Sequence, residues 1–187
     1  MPVKTWIGSE LNPLDGLFTL NEACLSEIGN AVSLIRDNPL PLLMLCPSNF
    51  HMPKCKELIN TVFDCLENGF GFCLLDRLPL EDMTDNEAKS IYWLLSQMLG
   101  RPVAQKWCDG RMLYSVTDLG RPSGNGVRPD VTNEEQSFHT DNSYNICPPN
   151  IVGLLCLQPS MSGGLSRVVN MKTVLERMET SNKTHIK

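Results

Sequence analysis

Ser137-Phe138-His139-Thr140-Asp141-Asn142 is the stretch from which the rest of the chain is read. Its β-favouring flank predicts a strand. Residues two apart in a strand share a face about 6.6 Å apart, so His139 and Asp141 point one way while Phe138 and Thr140 point the other. One metal ion can then meet both side chains. Imidazole plus one carboxylate, completed by a second histidine and leaving open positions, is the donor set that holds non-haem Fe(II). His139 and Asp141 are therefore expected to be two ligands of an iron site. Each has a second role open to it: His139 suits a hydrogen bond at a strand end, and Asp141 suits the cap of a turn at Asn142-Ser143.

Immediately upstream, Asp118 to Gln136 is polar, carries Gly120, Pro122, Gly124, Gly126 and Pro129, and shows no apolar periodicity. A loop of that length inside a domain either covers a substrate or is a floppy insertion. Ahead of it, Val103 to Trp107 and Arg111 to Val116 are expected as strands joined at Asp109-Gly110, a strong turn dipeptide. Downstream, Pro148-Pro149 is a break, and Ile151 to Gln158 and Leu165 to Val169 are expected as strands around a turn at Ser162-Gly163-Gly164. Asn170 is expected to cap a short helix bearing Val174, Leu175 and Met178.

The first part of the chain reads as helices. Thr19 and Glu22 have capping-box spacing, and Ala23, Cys24, Ile28, Ala31, Val32 and Ile35 follow at helical intervals until Asn38-Pro39. Leu42 to Cys46 is a short apolar strand candidate. Pro53 can open a helix because its missing donor costs nothing in the first turn. Leu58, Ile59, Val62, Phe63 and Leu66 form that helix's inner stripe, with Gly69 expected to end it in a left-handed conformation. Phe70 to Leu75 reads as a buried strand. Thr84 and Glu87 form a second capping box, opening a helix with Ala88, Ile91, Leu94, Leu95 and Met98 inward, Trp93 at its edge and Gly100-Arg101-Pro102 as its stop. His51, before Pro53, reads as a surface or capping residue.

Composition bounds the partners. The 187 residues are 42% hydrophobic and 20% charged with a formal net charge of −5. That is an ordinary globular composition, and without a basic stripe it argues against nucleic acid. The longest strongly apolar run, Leu42 to Cys46, is far below the roughly 20 residues of a membrane span. The start lacks the apolar region of a secretory signal, so a cytoplasmic protein is expected. The eight cysteines contain no CxxC pair; they are expected to be reduced and mostly buried, with no quartet at zinc spacing.

Several segments occur in a telling order: Gly69-Phe70-Gly71-Phe72, Leu99-Gly100-Arg101-Pro102-Val103 with Gln105, Phe138-His139-Thr140-Asp141, Gly153-Leu154-Leu155-Cys156-Leu157 and Ser162-Gly163-Gly164-Leu165-Ser166. Together they resemble the TauD/TfdA family, the taurine-dioxygenase-like Fe(II)/2-oxoglutarate oxygenases. The resemblance implies an α+β protein whose core is a double-stranded β-helix, or jelly roll, with N-terminal helices packed outside. Residues 1–187 are then one domain: a helical portion over 1–68, the first part of the jelly roll over 69–178, and a polar tail over 179–187. The implied reaction couples decarboxylation of 2-oxoglutarate, to succinate and CO2, with oxidation of a C–H bond of a small molecule by O2. His139 and Asp141 carry over as Fe(II) ligands. Ser166 falls where the family has a Thr or Ser whose hydroxyl contacts 2-oxoglutarate, although a turn hydroxyl beside Gly163-Gly164 is an equal reading of it.

The family pattern also has a distal histidine downstream, followed by an arginine for the far carboxylate of 2-oxoglutarate. Here His185 lies in a polar tail without strand pattern, and Arg167 and Arg177 precede it. The barrel is accordingly expected to be incomplete, truncated after its first half, and to self-associate through exposed sheet edges. A catalytically inactive truncated or spliced product is the alternative to an active dioxygenase.

Overall fold

Thr84 opens the helix around which the first part of the molecule is built. In the computed structural model, which describes residues 3–105, 110–122, 124, 126–143 and 146–181, the Thr84 hydroxyl accepts from the Glu87 amide at 3.3 Å and the Glu87 carboxylate accepts from the Thr84 amide at 2.7 Å. Two otherwise orphaned donors are satisfied, as the capping-box spacing predicts. The helix that follows, α3 (Asp85–Leu99), buries Ala88, Ile91, Leu94 and Leu95. Trp93, expected at the edge, is buried as well, because its indole N–H finds the Leu45 carbonyl at 3.2 Å. A buried tryptophan needs such an acceptor, which is supplied from another part of the chain and has no local sequence signal.

Helices α1 (Glu22–Asp37) and α2 (Pro53–Asn68) pack on α3. The box expected at Thr19 and Glu22 does not form. Asn21 caps α1 instead, accepting from the Cys24 amide at 2.9 Å, since Asn caps at least as well as Thr and stands where the helical pattern begins. Cys24, Ile28, Ala31, Val32 and Ile35 are buried as expected, whereas Ala23 is exposed. The first turn of α2 is capped from α1. Glu27 accepts from the amides of Lys54 and Cys55, each at 2.9 Å. Burial opposes the charge on Glu27, yet the Cys55 and Lys54 amides hold its carboxyl below the ordinary range. The buried face of α2 is Cys55, Ile59 and Val62; Phe63, expected inward, is exposed, and Leu58 and Leu66 are half-buried.

Gly69 ends α2 without the expected left-handed conformation. A Cβ there would lie 2.7 Å from the Cys65 carbonyl oxygen, so close approach is what requires glycine, and the left-handed residue is Gly71.

Two predicted strands shrink. Leu42 to Cys46 is a 3-10 turn over Leu42–Met44: Pro41 and Pro47 bracket it, and Leu43 and Met44 are exposed. Phe70 to Leu75 keeps only β2 (Leu74–Leu75), which pairs in parallel with β1 (Leu17–Phe18). Phe72 ahead of it packs edge-on to Trp6, with ring centroids 5.3 Å apart. Asn170 caps α4 (Met171–Ser181), accepting from the Thr173 amide at 2.9 Å. Its Nδ2 donates to the Lys4 carbonyl and the Thr173 hydroxyl to that of Trp6, tying α4 to the N-terminal segment.

These elements make one unit, Met1–Gly100 with Val168–Lys187; Arg101–Arg167 makes a second. In the second unit no described residue is buried and none lies in a strand. Gln105 N–H donates to the Arg111 carbonyl at 2.7 Å, a trace of the hairpin expected around Asp109-Gly110; Trp107, Cys108 and Asp109 lie outside the described residues. The strands expected over 151–158 and 165–169 do not form among the described residues, and Leu154 and Leu165 are 80% and 84% exposed. An apolar run signals a preference for burial but carries no partner to provide it. The loop over 118–136 is pinned: the amides of Thr117 and Leu119 donate to the carbonyls of Asp130 and Val131, beside a 3-10 turn over Pro129–Val131.

The architecture of the described residues is thus α+β, four α-helices and a two-stranded sheet. The thiols of the described residues are free but less buried than expected. Cys24 and Cys55 are enclosed, Cys65 and Cys73 half-buried, and Cys46, Cys147 and Cys156 exposed. No helix among the described residues is long and apolar enough to cross a membrane.

Candidate metal centre

His139 and Asp141 do come together, though by a different backbone from the one expected. No strand forms over 137–142: the chain turns directly after Asp141, where Asn142 adopts a left-handed φ of 51°. Asn tolerates that conformation far better than a β-branched residue, and it ends any extended run. The β-favouring flank therefore reported side-chain preference without a ladder to satisfy it.

The imidazole is held by its own backbone. His139 Nδ1 lies 2.8 Å from the Ser137 carbonyl oxygen. A carbonyl only accepts, so Nδ1 carries a proton, and Nε2 is the ring nitrogen left to bind a metal. That nitrogen faces Asp141 Oδ1 at 3.3 Å, and both side chains are about half exposed. Two acceptors facing each other repel unless a cation or a proton lies between them. Donors on adjacent corners of an octahedron with bonds of about 2.1 Å stand roughly 3.0 Å apart, close to what is found here. The donor set fits a metal, and the ring is oriented the way ligating histidines are, with the second nitrogen fixed by a carbonyl.

Among the described residues, no third His, Cys, Asp or Glu joins this pair. His185 lies outside the described residues. Ser166 is exposed beyond Gly163-Gly164, and the next residue, Arg167, forms an ion pair with Glu135. That pair links the stretch bearing Ser166 to the segment leading into His139. Sequence reading missed it, because two opposite charges so far apart in the chain carry no local signal. It also missed Asp130. The Tyr114 hydroxyl and Arg128, the latter 2.9 Å away through Nε, hold the Asp130 carboxyl below its usual range and fix the loop before the pair.

The family model described as taurine catabolism dioxygenase TauD, TfdA family matches residues 38–187. The chain belongs to this family. Members of the TauD/TfdA family depend on Fe(II) and 2-oxoglutarate, and the family fold is a jelly roll. The chain is similar to FR-33289 synthase of Streptomyces rubellomurinus (strain ATCC 31215), 29% identical over 149 residues. The match covers 79% of this chain and 42% of that relative, so the chain spans less than half the relative's length.

Proposed function

We propose that the chain is part of an Fe(II)/2-oxoglutarate-dependent dioxygenase that oxidises a C–H bond of a small molecule, with His139 and Asp141 as two of the three iron ligands. The observation that carries this reading is the 3.3 Å approach of His139 Nε2 to Asp141 Oδ1, with Nδ1 occupied by Ser137. In such a site the bound iron supplies activation of O2. The chain's own residues do the rest of what is assigned here. Ser137 holds the tautomer that leaves Nε2 free, Asp141 supplies negative charge beside it, and Ser166 is assigned a hydrogen bond to 2-oxoglutarate. Residues 1–187 belong, in this reading, to a single jelly-roll domain of a cytoplasmic protein without nucleic-acid partners, whose exposed apolar groups over 101–167 favour self-association.

Supplying the protein with Fe(II), 2-oxoglutarate and O2 and following succinate tests the reading. Succinate production that His139→Ala and Asp141→Ala both abolish is the expected result; production that survives both substitutions would remove the pair from the site.

A second reading is a catalytically inactive product that keeps the ligand pair. It predicts metal binding with no succinate under any conditions that support turnover by a complete family member.

A further inference from the structure

The chain folds back on Cys65. The Cys65 carbonyl accepts from the amides of Gly69 at 3.0 Å and Gly71 at 3.3 Å, and the Cys65 thiol donates to the Phe72 carbonyl at 3.6 Å. That carbonyl belongs to the peptide that carries Cys73. A carbonyl oxygen lies about 2.8 Å from the Cα of the following residue, so the Cys73 Cα is within roughly 6.4 Å of the Cys65 sulfur. The Cys73 sulfur swings on a radius of about 2.8 Å about that Cα, so closing the remaining gap to an S–S bond falls to rotation of the two side chains about χ1. Both thiols are half-buried and free, open to a small reagent yet held beside each other.

We propose that Cys65 and Cys73 are an oxidation-sensitive dithiol, closed to a disulfide by a peroxide. One thiol attacks the O–O bond, becoming a sulfenic acid and releasing water. The second thiol displaces the sulfenic hydroxyl as a second water while the S–S bond forms. Two thiols lose their hydrogens, and one peroxide is reduced to two waters. The ionised form of Cys73 is disfavoured by burial and then by the neighbouring Cys65, which keeps Cys73 a thiol in the resting protein. The closed bridge ties the last turn of α2 to the residue preceding β2, across the bend at Gly69 and Gly71. The molecule contains its own contrast. Cys55 donates to the Cys24 carbonyl at 3.6 Å, but both of these residues are sealed in the core at 0% and 1% exposure. Peroxide reaches the first pair and spares the second.

Trypsin cuts after Lys56 and Arg77, so one peptide holds Cys65 and Cys73 and no other cysteine. The folded full chain is treated with hydrogen peroxide, alkylated with iodoacetamide under denaturing conditions without reductant, digested and weighed. The expected peptide 57–77 is unalkylated and about 2 Da lighter than the dithiol, and reductant restores both alkylation sites. In Cys65→Ser the bridge vanishes and Cys73 becomes alkylated in full, a result that does not depend on activity. Recovery of peptide 57–77 doubly alkylated while the exposed Cys46, Cys147 and Cys156 are oxidised would overturn the proposal. So would bridges from Cys65 or Cys73 to other peptides only.

Discussion

Glu87 shows how a single residue can serve two elements. It closes the capping box of α3 with Thr84 and also receives Arg36 of α1, whose Nε and Nη2 approach it at 2.6 and 3.1 Å. The Arg36 hydrogen bond first, and the Thr84 amide second, bring its pKa from 4.5 down to about 2. A carboxyl with a depressed folded-state pKa contributes stability that is fully present above its unfolded value and is lost as pH falls through the folded one. Glu87→Gln is therefore expected to lower Tm at pH 7, and the gap to the parent is expected to narrow as pH falls from about 4.5 towards 2. Melting curves across that window check it; a gap that stays constant would exclude the charge. Thr84→Ala removes the other half of the box and is expected to cost about 1 kcal/mol in denaturant unfolding. The Thr84 to Glu87 spacing was legible because capping is local. Glu27 capping α2 was not, since its partners are on another helix.

Helices were legible for the same reason. Ala88, Ile91, Leu94 and Leu95 repeat at the helical period, and that period survives whatever they pack against. Leu94 is fully buried, so Leu94→Ala is expected to cost 2–5 kcal/mol by cavity formation, read from the urea midpoint at unchanged m-value. Met161, wholly exposed, is the contrast: its replacement by Ala is expected to change stability by less than about 0.5 kcal/mol. Strands were read less well. Leu42 to Cys46 and Ile151 to Gln158 are apolar runs of strand length, but a strand exists only where a second one pairs with it. β1 was missed outright, because two residues hydrogen-bonded to Leu74–Leu75 leave no pattern in the sequence.

At the scale of the whole molecule, the chain is uneven. The buried apolar residues all belong to the unit formed by Met1–Gly100 with Val168–Lys187, and Arg101–Arg167 has none among its described residues. Opening free energies follow buried contacts and protected amides. Hydrogen exchange is accordingly expected to be slow in α1, α2 and α3 and fast throughout 101–167, including the His139 segment; equal protection in both units would contradict that distribution. Family membership was readable from short segments in order, since Gly, Pro and the His-x-Asp spacing need no partner to be seen. The pairing of Arg167 with Glu135 and the turn at Asn142 were not, because both depend on how the chain closes on itself.

In the proposed site His139 and Asp141 bind one metal ion together. Titration of the full chain with Co(II), an O2-stable probe for an Fe(II) site, followed by calorimetry, tests it most directly. One Co(II) per chain is expected, weakened at least about tenfold by His139→Ala and by Asp141→Ala alike, with the double variant no worse than the weaker single one. Unchanged Co(II) binding in both single variants would contradict it.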